Sequence, residues 1–175
     1  MALTIAALLA RAAIHDCLNR YAQGVDQRNW PLFLSAFAPG AVVVVQGYLA
    51  APITPEGFAA LLRDTFDHNR LSGQHLLGNT ALAVEGARAH AVTEFLATTL
   101  EEGAAPATAA RQITAGLYVD DLVCGDDGHW RIARRTLARK SSNEDQLPFL
   151  PPVADAVRAT LRAGWPLASP TGTPA

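Results

Sequence analysis

Cysteine is scarce in this chain. There are two, Cys17 and Cys124, with no CxxC spacing. Cys17 falls on an apolar helical face and Cys124 at a strand end, so two buried free thiols are expected in preference to a disulfide. Aromatic residues make up only 7% and charged residues only 17%. The formal net charge is -2, which provides no basic face for nucleic acid. No apolar run reaches the ~18 residues that span a membrane. The run from Ile5 to Ala10 follows no basic segment and is interrupted by Arg11, which argues against a secretion signal. The cytoplasm is the expected location. There is no glycine-rich phosphate loop, no GxSxG elbow, and no HxxxH or HxxE spacing around His75. No metal, cofactor or serine nucleophile is therefore expected.

Small apolar side chains are abundant instead. Half of the 175 residues are hydrophobic, and 34 of them are alanine. That is too apolar for disorder and long enough for one domain with a core. The alanine reflects codon bias or helix propensity, or else small side chains that leave a pocket open.

Periodicity divides the chain into helices followed by strands. Residues 4–26 read as a helix, with Ile14, Cys17, Leu18, Tyr21 and Val25 on one stripe. Ile5, Leu8 and Leu9 are out of phase, so either the first turns pack elsewhere or the helix breaks near Ala10. Residues 29–37 form a second helix, capped by Asn29 with Pro31 in its first turn. Pro39-Gly40 reads as a turn and 41–46 as a strand. A third helix runs from Thr54, its cap, to about His68. Four long strands follow at 74–85, 88–102, 108–124 and 129–141, with hairpin turns at 85–88 and 126–129. A short helix at 153–163 precedes a loose tail. The domain is placed at 1–150 and the tail region at 151–175. The fold class is α+β, a cone-shaped barrel whose curved, mixed and mainly antiparallel sheet encloses the helices. The open mouth of such a cone is a natural small-molecule pocket.

Two polar residues sit in apolar surroundings: Asp26 at the end of the first helix and His75 early in a strand. Alternation places His75, Leu77 and Asn79 on one face. A carboxylate beside an imidazole fixes its tautomer and makes it a general base. The plainer alternative is a satisfied core histidine and an Asp26 that caps the next turn. Arg134 and Arg135 must face opposite ways, and one of them could stabilise an anion in the pocket. Tyr118 could donate into a pocket or simply pack. Tyr21 and Tyr48 are similar candidates. His15 and His68 look solvated, and the face of His90 is open.

The ordered pieces Ala12–Asp16, Tyr21–Asp26, Phe37–Pro39, His75–Asn79, Tyr118–Asp121 and Gly128–Ile132 followed by Arg134-Arg135 carry a resemblance. Together they are similar to the SnoaL-like branch of the nuclear transport factor 2-like superfamily. The branch's relatives include scytalone dehydratase, lindane dehydrochlorinase, polyketide cyclases and ketosteroid isomerase. The resemblance implies a cone-shaped α+β barrel, usually a homodimer or homotrimer. It also implies a His–Asp pair at the positions of His75 and Asp26, and site residues at Asn79 and Arg135. Two departures stand out. Tyr21 replaces the lysine of the dehydrochlorinase, and Gly40 replaces an acidic residue common in relatives.

The expected protein is thus a cofactor-free lyase or isomerase acting on a small hydrophobic, cyclic substrate. His75 would abstract the proton and Asp26 would orient it. Tyr21, Asn79, Tyr118, Arg135 and Tyr48 would bind substrate. Two rival roles are a non-catalytic binding protein and an assembly subunit resembling the dioxygenase small subunit.

Overall fold

The computed structural model describes residues 4–66 and 70–148. The expected helix at 153–163, the tail, the 150/151 boundary and His68 lie outside the described residues.

Helix α1 (Ile5–Asp26) starts at Thr4, whose hydroxyl accepts from the Ala7 N–H at 3.1 Å. It does not break near Ala10. Its stripe of Ile14, Cys17, Leu18, Tyr21 and Val25 is buried as the spacing requires. The out-of-phase Ile5, Leu8 and Leu9 instead lie exposed on an unbroken helix. Arg28 then takes a left-handed turn (φ 53°), and Asn29 caps α2 (Trp30–Ser35) by accepting from Leu32 N–H. Gly24 lets α2 approach closely. A Cβ there would lie 2.5 Å from the Phe33 nitrogen.

The Pro39-Gly40 turn is instead a kink inside strand β1 (Phe37–Val45). The register shifts between Phe37 and Val42, and Gly40 adopts φ 74° without leaving the sheet. Helix α3 (Pro55–Phe66) begins as expected, with Thr54 accepting from Gly57 N–H. The four long strands are β2 (Arg70–Glu85), β3 (Arg88–Glu102), β4 (Thr108–Cys124) and β5 (Trp130–Pro148). Both β2 and β5 extend beyond their expected ends.

The sheet order is β1-β5-β4-β3-β2. The β2–β5 meander is antiparallel, and β1 pairs in parallel with β5. The sheet is therefore mixed, and it is open at β1 and β2. It curls far enough that α1 touches both β2 and β5. Inside that curl, Tyr21, Phe33 and Phe37 form an aromatic cluster with centroids 5.2–5.9 Å apart. Burying each of these rings contributes about 1.5–3 kcal/mol.

Candidate functional site

Asp26 is the last residue of α1, on the buried side of the helix. Two contacts hold the start of β2 against this helix end. Arg70 donates to the Val25 carbonyl at 2.6 Å, and Arg28 donates to the Arg70 carbonyl. Because β2 is an edge strand, some of its N–H groups have no strand partner. The Asp26 carboxylate captures one of them, accepting from the His75 backbone N–H at 2.7 Å. Its other oxygen lies 2.6 Å from His75 Nδ1. One carboxylate thus grips the backbone and the ring of the same residue. Both side chains are largely buried, at 5% exposure for Asp26 and 13% for His75. A carboxylate can only accept, so the neutral imidazole is held with its proton on Nδ1, the tautomer that leaves the Nε2 lone pair free.

His75 lines a cavity of about 140 Å³ between α1, α3 and the inner face of the sheet. Val25, Val45, Phe58, Leu61, Leu62, Phe95 and Leu137 make its walls apolar. Tyr21 and Tyr118 line it too, with rings 5.4 Å apart, edge to face. Burial raises both phenols above their ordinary value of 10.0, although the Arg135 charge opposes the shift. Both therefore stay protonated; Tyr118 donates to Tyr21, whose own hydroxyl proton can be donated into the cavity. Tyr48 is 58% exposed and stands at the cavity edge.

Two expected residues are not brought to the cavity. A bulge between Leu77 and Thr80 breaks the alternation, so Asn79 is exposed and does not line the cavity. Arg135 does face inward and Arg134 outward, as alternation requires. However, Arg135 is fully buried behind the two tyrosines and forms a two-pronged pair with Asp120 at 2.7 and 2.8 Å. Its Cζ lies 3.9 Å from the Tyr21 ring centre and 4.1 Å from that of Tyr118. Burial alone would lower the Arg135 pKa; the Asp120 charge and hydrogen bonds outweigh it and raise the value. Arg135 thus supports the two phenols from behind.

The sequence reading missed Arg70, Thr99, Gln112, Thr114 and Arg139, all of which line the cavity. A usable signal was available for Asp120, Thr99 and Thr114. They share the inward phase with Tyr118 or Phe95 once the strands are registered. Cys17 and Cys124 are both free, as expected, but only Cys17 is buried; Cys124 is half-buried. Among the described residues, no His, Cys, Asp and Glu cluster could hold a metal, and no helix is long and apolar enough to cross a membrane.

A family model described as a SnoaL-like domain matches residues 6–136. The chain belongs to the SnoaL-like family. Solved structures share the fold of this SnoaL-like chain. A candidate scytalone dehydratase from Novosphingobium aromaticivorans is 19% identical with TM-score 0.67, covering 82% of this chain and 92% of the other. A type 2 hexachlorocyclohexane dehydrochlorinase is 20% identical with TM-score 0.69, covering 83% and 95%. ActVI-ORFA from Streptomyces coelicolor is 22% identical with TM-score 0.61, covering 75% and 97%. No curated protein matches the sequence.

Proposed function

We propose that this SnoaL-like protein is a cofactor-free lyase or isomerase that abstracts a carbon-bound proton from a small, largely apolar cyclic molecule. The 2.6 Å contact between Asp26 and His75 Nδ1 carries this reading. It leaves Nε2 as the base beside an apolar cavity. The proton leaves a carbon next to a carbonyl and passes to Nε2. The electron pair moves onto the carbonyl oxygen as an enolate. Tyr21, hydrogen-bonded by Tyr118, donates to that oxygen, and Asp26 stabilises the imidazolium. Collapse of the enolate then expels a β-substituent or returns the proton at another carbon. The resemblance to dehydratase and dehydrochlorinase folds supports this class. A purely binding role needs no Asp26–His75 contact.

The test is deuterium wash-in from D₂O across a panel of cyclic ketones and β-hydroxy ketones. His75→Gln should slow wash-in by about 10²–10⁴-fold. Undiminished exchange would refute the reading.

The same reading includes a homodimer or homotrimer. Leu76 and Leu96 are cross-strand partners on the outer sheet face, and both are exposed, which supports self-association there.

A further inference from the structure

The cavity contains an asymmetry of charge. Among the described residues no carboxylate lines it, and the Asp26 carboxylate sits behind His75. Two guanidinium groups do line it, Arg70 and Arg139. Three other cations of β5 hold an acid: Arg131 with Asp127, Arg135 with Asp120, and Lys140 with Glu94; Arg134 is exposed on the outer face. Arg139 holds none among the described residues. Its Cζ instead stacks 5.5 Å from the ring centre of Tyr48 at the cavity edge. An exposed arginine stacked on an aromatic face keeps its planar donor fork free for a ligand.

Strand register sets Arg139 opposite the base. The row Leu77–Phe95–Gly116–Arg139 crosses the sheet from β2 to β5, and His75 lies on the next inward row of β2. Three strand spacings separate the two walls, roughly 14 Å along the sheet at about 4.8 Å per strand. Between them the floor is low. Ala97 is the cross-strand partner of His75, Gly116 has no side chain, and Phe95 leans across Gly116 to stack on Tyr118 with centroids 4.3 Å apart. An aromatic or alicyclic ring fits over that floor with one edge at His75 and the other at Arg139.

We propose that Arg139, stacked on Tyr48, is a specificity residue that selects cyclic ligands bearing a carboxylate. The inference rests on the cavity being the substrate site. A guanidinium matches a carboxylate with two parallel hydrogen bonds, and low-dielectric walls strengthen the pair.

The probes are 2-naphthoate and its neutral analogue 2-naphthamide, titrated calorimetrically. Shifts of the His75 ring resonances would place each probe in the cavity. The native protein should prefer naphthoate by about tenfold, equivalent to ~1.4 kcal/mol. Arg139→Gln should abolish that preference while leaving naphthamide affinity within about twofold. Arg139→Lys should keep part of it. Arg134→Gln removes the same charge from the outer face and should change nothing. The proposal is overturned if Arg139→Gln keeps the preference, if Arg134→Gln abolishes it, or if naphthoate fails to bind or to shift His75. Wash-in by His75→Gln reports on the catalytic reading separately. A lost preference with wash-in independent of His75 would leave an anion-selective binding site without the proposed chemistry.

Discussion

Replacing Asp26 by asparagine changes one heavy atom and tests the site's logic. The native carboxylate accepts from both the backbone N–H and Nδ1–H of His75, at 2.7 and 2.6 Å. Asparagine offers one oxygen and one NH₂. If the oxygen takes Nδ1–H, the NH₂ faces the backbone N–H and two buried donors oppose each other. That costs about 1–3 kcal/mol. The alternative gives the oxygen to the backbone N–H and turns the NH₂ toward Nδ1, which must then accept. The ring proton moves to Nε2, and the base is lost. The preference for this tautomer reduces the competent population by about 5–150-fold. The missing charge adds a further cost. A carboxylate and an imidazolium about 4 Å apart interact by ~4 kcal/mol at an effective dielectric of 20, and half of this developed in the transition state is about 30-fold. Asp26→Asn should therefore lower kcat by about 10²–10⁴-fold with a smaller change in KM. Nitrogen-15 NMR of the His75 ring reads the tautomer without any substrate. Retention of the Nδ1–H tautomer together with native kcat would refute the reasoning.

Other outcomes follow from the same contacts. Arg135→Met alone should destabilise the fold by about 3–5 kcal/mol, because it strands the fully buried Asp120. Arg135→Met combined with Asp120→Leu should recover most of that loss in denaturant melts. Burial pushes the Cys17 thiol from 9.0 to about 11 and raises Tyr21 and Tyr118. Above pH 9 the unfolded chain then releases protons that the fold retains, so stability is full below pH 9 and falls toward pH 11, by up to about 1.4 kcal/mol per pH unit per group. Cys17→Ala should flatten that fall, whereas a stability independent of pH in this window would contradict it. Leu76→Glu with Leu96→Glu should shift sedimentation to the monomer.

Much of this architecture was legible in the sequence. The stripe from Ile14 to Val25 and the caps Asn29 and Thr54 are local signals, and local hydrogen bonds and one-sided burial fixed them. Asp26 and His75 were legible as polar residues in apolar settings. The sheet's irregularities were not. The bulge that turns Asn79 outward leaves no mark on an alternating stretch, and a run such as Ser141–Gln146 carries no β-branched signal although β5 continues through it. Arg135 faced inward as alternation required. Its burial against Asp120 depends on register between β4 and β5, which no single strand encodes. Core packing accounts for part of the alanine excess. Ala22, Ala36, Ala41, Ala59, Ala89 and Ala91 fill the interior, while Ala97 lines the cavity.

Chemical rescue tests the central claim most directly. His75→Ala removes the imidazole but keeps Asp26 and the cavity walls. Deuterium wash-in by this variant should fall by about 10²–10⁴-fold. Added free imidazole should then restore it at least tenfold, in proportion to concentration, while leaving the native protein unaffected. Wash-in that survives the substitution, or that imidazole does not restore, would contradict a proton transfer through His75.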